Sequence, residues 1–499
     1  MPEYLAPGVY IEEISIGAKP IEGVSTSTAG FLGQTERGPV GLRLVTSFGQ
    51  YQALYGGFIE GKYLAYAVDG FFRNGGQRCY IGRIEGKDET GQKAASATLK
   101  KDQNPVITVS ALGPGDWGGR IAIKVENAGL KDINSDLFLL KVAYWKESPD
   151  TPLNDEKATI LEEYDNLSPI ASSSDYYLNR INNISNLVTL AANDAGRPDN
   201  VEYSILTGGA SFEIKLGDYQ GIEEPISRTG LAAFKEKEDI SIVCIPDENS
   251  IDGLSSALVT HCEEMNRFAI CQAKLLAGPI GDLHHGMDSK YAAFYYPWIE
   301  IIDPVTNLKK LIPPGGHMAG VYARSDSERG VHKAPANEVL RGAVDLQINL
   351  TKKEQDTLNP RGVNCIRSFV GRGIRVWGAR TTSSDPAWKY LNVRRLFSYI
   401  EKSIDRGTQW VVFEPSDEKL WARVRQTISQ FLVGVWRDGA LMGTTQDEAF
   451  FVKCDRTTMT QDDIDNGRLI ILIGIAPVKP AEFVIFRIAQ VAKGSEISE

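Results

Sequence analysis

The chain has 499 residues, 42% hydrophobic and 24% charged, a balance usual for globular proteins and more length than one core normally holds. A net charge of −10 and a pI near 5.3 speak against a general nucleic-acid binder, which carries a basic face. No apolar run approaches a membrane span, and the first 30 residues lack the basic-then-apolar order of a signal peptide, so synthesis and folding in the cytoplasm are expected.

The chain opens with a β-prone stretch behind Pro7-Gly8, carrying Val9, Tyr10, Ile11, Glu12, Glu13 and Ile14, then a polar segment to Thr28. Strands are expected over 29–33 and 42–45. A helix over 47–55 follows, with Ser47 as N-cap and Gly56-Gly57 as its stop. A second helix over 63–74 lines up Leu64, Val68, Phe71 and Phe72 and leads to a strand over 78–84. This β-α-β rhythm predicts an α/β layer. Between Glu85 and Gly230 the texture turns to short strands, 105–109 and 120–125, among polar loops. That reads as a loop-rich β or α+β insertion facing solvent. The rhythm resumes with a helix over 231–237, a strand over 240–245, a helix over 253–265 and a strand over 268–275. An aromatic strand over 291–302, interrupted by Pro297, completes a buried, largely parallel sheet. The C-terminal block is read as helix 336–346, strand 363–369, helix 386–405, strand 409–413, and a helix over 417–437 capped by Ser416. Two β-rich runs close it, 469–475 and 483–488, divided by Ala476-Pro477-Val478-Lys479-Pro480.

Motifs for chemistry are weak. Gly56 to Lys62 has phosphate-loop spacing, but Tyr63 stands where a magnesium-binding hydroxyl belongs, and the loop follows a helix. Gly371-Arg372-Gly373 begins like a dinucleotide fingerprint, lacks the third glycine and precedes a strand. Asp303, His317 and His332 share one half of the chain with several serines at no diagnostic spacing. His284-His285 is the best zinc candidate and finds no C-x-x-C to join. The six cysteines, Cys79, Cys244, Cys262, Cys271, Cys365 and Cys454, are scattered and read as reduced, buried thiols. No catalytic residue, metal or cofactor is assigned.

Two features point to assembly instead. Strands at free termini are edges in want of partners. On the 417–437 helix, Leu420, Trp421, Val424, Ile428, Phe431, Leu432 and Val435 form an apolar stripe, opposite Lys419, Arg423, Gln426, Gln430 and Arg437. That outer row is basic on an acidic chain and reads either as a solvated helix face or as a docking face for an acidic partner.

Several blocks of sequence stand in order along the chain. Leu5-Ala6-Pro7-Gly8-Val9-Tyr10, Thr28-Ala29-Gly30-Phe31-Leu32-Gly33 and Phe71-Phe72-Arg73-Asn74-Gly75-Gly76 precede Pro114-Gly115-Asp116-Trp117-Gly118-Gly119-Arg120. The second half adds Tyr295-Tyr296-Pro297-Trp298, Pro313-Pro314-Gly315-Gly316-His317-Met318, Val331-His332-Lys333-Ala334-Pro335, Leu358-Asn359-Pro360-Arg361-Gly362, Trp377-Gly378-Ala379-Arg380-Thr381 and Tyr390-Leu391-Asn392-Val393-Arg394-Arg395. Together they resemble the sheath protein of contractile tails, the family of contractile bacteriophages, tailocins and extracellular or type VI-like contractile injection systems.

The resemblance implies a multidomain α/β fold. It has an N-terminal arm (1–26), a subtilisin-like α/β middle domain (27–84 and 231–335), the surface insertion (85–230), an α+β C-terminal sheath domain (336–477) and a C-terminal arm (478–499). It implies a virion structural protein, without enzymatic activity, that polymerises helically as hexameric rings around an inner tube and contracts without nucleotide hydrolysis. The implied partners are other copies, the inner tube protein, and baseplate and cap or terminator proteins, with no nucleic acid bound and no membrane insertion. Such particles leave the cell on lysis. Strand exchange would run through Val9, Tyr10, Ile11, Glu12, Ile14, Phe483, Val484, Ile485, Phe486 and Ile488, with hinges near 15–26 and 476–480. Lys419, Arg423, Gln426, Gln430 and Arg437 would face the tube. A non-contractile polymer and a subtilisin-type hydrolase are the alternatives.

Overall fold

The computed structural model describes residues 20–132, 134–147, 153–225 and 227–485. The chain divides into two compact units, Ser25–Arg395 and Met1–Val24 with Leu396–Glu499.

The unit Ser25–Arg395 is built on an eight-stranded sheet in the order Gly373–Trp377, Val363–Phe369, Ala292–Tyr296, Phe268–Gln272, Ile242–Cys244, Ala29–Gly33, Cys79–Arg83 and Arg43–Val45. The six inner strands run parallel and both outermost strands antiparallel. Segments such as AGFLG, FAICQ and AAFYY are apolar at every position because both faces are covered, as parallel sheets require. Helices Phe48–Tyr55, Leu64–Arg73 and Gly315–Arg329 contribute to one core, while Gly230–Phe234 and Leu254–Glu264 contribute to a second.

Gly315–Arg329 is absent from the sequence reading because glycines at 315, 316 and 320 argue against a helix. They are there for contact. A Cβ on Gly316 would lie 2.3 Å from Ala67 Cα, one on Gly320 2.4 Å from Phe71 O, and one on Gly70 2.1 Å from His317 Nδ1. The helix therefore rests directly on the Leu64–Arg73 backbone.

Two expectations in this unit are corrected. The stretch 336–346 forms no helix. Asn337 and Leu340 donate to Val376 and Ile374 along the edge of Gly373–Trp377, and Asp345–Leu346 pairs with Ile299–Ile302. The aromatic strand breaks at Pro297 into Ala292–Tyr296 and Ile299–Ile302, which enter different sheets. The insertion is built on two β-sheets, in keeping with the β alternative of its reading. Ser96–Lys101, Asn104–Ala111 and Val188–Ala192 form one sheet, and Val201–Ile205, Ile121–Asn127, Phe138–Tyr144 and Ile160–Leu167 form the other. They share a core containing Ile107, Val109, Ile123, Leu140 and Val142. Tyr144 bonds Glu36 at 3.0 Å and lies under Arg37, and the buried Arg83–Glu85 pair stands where the insertion begins.

In the other unit, the helix Leu391–Gly407 from Leu396 onward accompanies the helix Glu418–Arg437, whose buried side includes Leu420, Trp421, Val424, Ile428, Leu432 and Val435. Its N-cap is Asp417, which accepts from Leu420 N–H at 2.7 Å; Ser416 instead accepts from Trp421 Nε1. The expected strand over 409–413 is a 3-10 turn, Gln409–Val411, followed by an exposed Phe413. Phe450–Lys453 and Leu472–Ile475 pair as an antiparallel ribbon.

Candidate assembly surface

The Phe450–Lys453/Leu472–Ile475 ribbon has only two strands, so both carry an outer edge. Ala476 N–H bonds Ala449 O at 2.9 Å one step beyond the register, so Phe451–Gly474 and Lys453–Leu472 are the hydrogen-bonded pairs. Alternation then turns the N–H and C=O of Val452 and Ile473 to the two outer edges. Among the described residues no strand pairs with either edge. Two four-residue strands are marginal alone, and here Phe451 and Leu472 remain 47% and 52% exposed. Beside the Phe450–Lys453 edge runs a groove of about 650 Å³, lined by Arg425, Gln426 and Ser429 of the long helix and by Phe450, Phe451 and Val452. Sequence reading placed a β-rich run over 469–475, which contains Leu472–Ile475, but not Phe450–Lys453, a four-residue run among polar turns that leaves little periodicity to read.

Of the expected exchange residues, Val9, Tyr10, Ile11, Glu12, Ile14, Phe486 and Ile488 lie outside the described residues. Phe483, Val484 and Ile485 are exposed and in no strand. The hinge positions are displaced. Ile21 is buried where a Cβ on Gly407 would approach it to 2.6 Å, Gly23 lies under Tyr399, and Val24 N–H donates to Ser403 Oγ at 3.1 Å. Residues 21–24 are thus held on the Leu391–Gly407 helix. Ala476 and Val478 are likewise tied, through Met442 N–H to Ala476 O and Val478 N–H to Ala440 O.

All five residues of the outer row are exposed. They do not form one uniform face. Gln426 lines the ribbon groove and Gln430 lines a second hollow with Ile21, Gly23 and Tyr399. Arg423 lies 4.6 Å from the Trp410 ring centre and 3.7 Å from Glu414, so its charge is partly answered within the chain.

The nearest approach to hydrolytic chemistry is Ser255, 3.1 Å from His285 Nε2 and 2.9 Å from Glu248. The arrangement opposes a triad. His285 Nδ1 faces the Met287 backbone, 3.2 Å from its N and 3.4 Å from its O, and Ser255 donates its hydroxyl hydrogen bond to Glu248. The carboxylate therefore sits on the serine rather than behind the imidazole. Asp303 is engaged with Tyr66 and Lys310, and His317 is buried against Gly70 with burial holding its pKa down at about 3. In the phosphate-loop candidate, Gly57 N–H already binds the Glu36 carboxylate at 2.6 Å.

An α/β unit bearing an inserted β module, with a second unit that ends in an incomplete ribbon, defines a subunit of an assembly. Residues 218–382 match the family model of the phage tail sheath protein central domain, and residues 383–490 that of the phage tail sheath C-terminal domain. The chain belongs to the phage tail sheath family and is a structural sheath subunit. The tail sheath protein of Burkholderia phage BcepMu is 22% identical over 496 residues, 93% of this chain and 92% of its own. That of Enterobacteria phage T4 is 24% identical over 60% of this chain and 44% of its own. A chain in the cryo-EM structure of the anti-feeding prophage baseplate is 25% identical, with a TM-score of 0.60 over 98% of this chain and 100% of that one. The crystal structure of a sheath tail protein from Listeria innocua, 13% identical, shares the fold with a TM-score of 0.62 over 92% of this chain and 96% of that one.

Proposed function

We propose that the chain polymerises helically, in six-subunit rings around an inner tube, and that the lattice contracts to drive the tube through a target envelope. The ribbon with two unpaired edges carries this reading. It offers two strand positions, and the chain has two terminal segments to donate, 1–19 and 479–499. Each donated strand is a heterologous contact, and a heterologous contact whose rotation does not close builds an open helix. Residues Val9 to Ile14 of one neighbour and Phe483 to Ile488 of another are assigned to the edges beside Val452 and Ile473. Their exits are fixed at Ile21–Val24 and Val478, so displacement of one subunit pulls directly on the next.

The middle domain is assigned to 27–84 and 231–335 with a subtilisin-like arrangement, and the C-terminal domain to 336–477. The sheet strands Val363–Phe369 and Gly373–Trp377 move the working boundary toward Arg395. Among the described residues Lys419 and Arg437 form no ion pair and are assigned as the tube-facing cations, supported by Arg423. Baseplate and cap proteins would end the polymer. Contraction then draws on the difference in interface between two lattices, summed over many subunits, with no nucleotide. Electron microscopy of the purified chain tests this: tubes in two diameters are the expected result, and particles that never exceed monomers under any salt or concentration would overturn it.

A further inference from the structure

Between Glu85 and Gly230 the chain holds 23 acidic and 14 basic residues, so the inserted module carries nearly all of the net −10 and the remainder is close to balanced. Part of that charge is gathered on one face. The four-stranded sheet turns Ile123, Leu140 and Val142 to the core. On its other face Lys124 and Lys141 meet Glu126, Asp155, Glu163 and Glu202 at distances from 2.9 to 3.3 Å. Asp165 and Leu161 alternate with Glu163 along the outermost strand Ile160–Leu167 and are exposed beside it. Five carboxylates against two lysines leave this face acidic.

A complementary element stands elsewhere on the same chain. Strands Val363–Phe369 and Gly373–Trp377 are joined by a tight hairpin, in which Gly371 and Gly373 adopt φ of 71° and 74°. This turn, rather than a nucleotide site, accounts for the Gly-Arg-Gly sequence. Val370 at the tip is fully exposed. Three arginines surround it, and the groups they donate to are neutral. Arg367 donates to Leu350 O and Gln355 Oε1, Arg372 to Asn337 Oδ1, and Arg375 to Asn337 O and Arg372 O. Arg367 and Arg372 also lie over the Phe369 ring, at 5.3 and 6.0 Å from its centre.

We propose that the arginine hairpin of one copy seats on the acidic sheet face of the insertion of a neighbouring copy, with Val370 and Leu161 as the apolar contact between the charges. The proposal rests on the sheath reading, which brings copies to high local concentration. A second copy is favoured as the occupant because one chain carries both the unanswered cations and the surplus anions. Hairpin and sheet face are different surfaces, so the contact is heterologous and compatible with the helical polymer. Exposed charge pairs are screened, so this contact weakens as salt rises.

All six native cysteines are buried, so Val370→Cys provides a single accessible thiol for a short photo-crosslinker. Full-length chains, half of them isotopically heavy, are assembled, irradiated and mapped by mass spectrometry. The expected result is mixed-isotope crosslinks from position 370 to peptides within 121–205. Crosslinks confined to one copy, or to other regions of the second copy, overturn the contact. In parallel, Arg372→Glu is expected to raise the critical concentration for tube formation about tenfold, and Glu163→Arg in the same chain to restore it. Unchanged assembly of R372E, or no rescue, refutes the hairpin contact alone. A wild-type chain that forms no tubes overturns both this and the sheath reading.

Discussion

Proline at position 473 separates the strength of the ribbon from its capacity to accept a strand. The Ile473 N–H points to the outer edge and makes no bond inside the ribbon, so its removal costs the isolated subunit little; proline is tolerated where a strand's N–H faces outward. In the polymer the same change deletes one inter-subunit hydrogen bond and leaves the donated strand's carbonyl unsatisfied, a loss of about 1–3 kcal/mol per contact. At 1.4 kcal/mol per tenfold, the critical concentration for assembly should rise by about five- to 140-fold. Val452→Pro should act alike at the other edge. The control is Gly474→Pro, which removes a bond inside the ribbon and brings a Cβ to 2.2 Å from the Phe451 ring, so it should lower the melting temperature of the free subunit as well. Pelleting and negative-stain microscopy across a concentration series, with a thermal melt of unassembled protein, provide the readouts. Ile473→Pro tubes of normal appearance at the wild-type concentration would refute the edge assignment.

Four further outcomes follow from named contacts. Burial raises the Glu248 carboxyl from 4.5 to about 7, so its stabilising proton is fully held below about pH 4.5 and is lost as pH rises through 7. Glu248→Gln, which keeps an acceptor for Gln272 N–H, should therefore stabilise the fold at pH 8 by up to about 3 kcal/mol and change little at pH 5, as read by denaturant melts. Gly316→Ala and Gly320→Ala drive a methyl into the Leu64–Arg73 backbone and should each cost about 1–3 kcal/mol or more, despite alanine's better helix propensity; thermal melts decide. Gly407→Val should expel Ile21 from its seat and expose residues 20–24 to limited proteolysis while leaving helical circular dichroism in place. Reversing Lys419 and Arg423 to glutamate should weaken co-assembly with the tube protein, measured by co-sedimentation, and unchanged co-assembly would remove the basic row from the tube contact.

The α/β sheet is legible in the sequence because its strands are buried on both faces and its first helix carries its own cap. Ser47 accepts from Gln50 N–H as its position before the helix predicts. The Gly315–Arg329 helix is not legible, since its glycines serve close packing against a partner 250 residues away in sequence, and local propensity argues the other way. Segment 336–346 fails for a related reason: helix-compatible residues are recruited as a cover for the Gly373–Trp377 edge, a contact set by tertiary structure alone. In the insertion the strands read over 105–109 and 120–125 form as Asn104–Ala111 and Ile121–Asn127, whereas Phe138–Tyr144 and Ile160–Leu167 go unread, their Lys141 and Glu163 being charged positions that compensate one another on a sheet face. The outer row of the long helix is correctly exposed, yet two of its members line hollows that only the fold creates.

The placement of the tied residues bears on how such a lattice would transmit movement. A donated strand on a free linker lets each subunit shift without moving its neighbour, because slack in the linker absorbs the displacement. Here Ile21, Gly23 and Val24 are fixed on one helix and Val478 on the ribbon's own extension, which shortens the free span between each anchor and its donated strand. Fewer free residues mean less slack and a steeper cost for stretching, so neighbouring subunits favour the same state. Lengthening either connection with a flexible Gly-Ser insert, just before Pro20 or just after Val478, should then leave strand exchange and tube assembly intact while broadening the spread of ring states seen by electron microscopy after triggering. A sheath that still converts uniformly with ten added residues would show that the coupling runs through the domains and not through the arms.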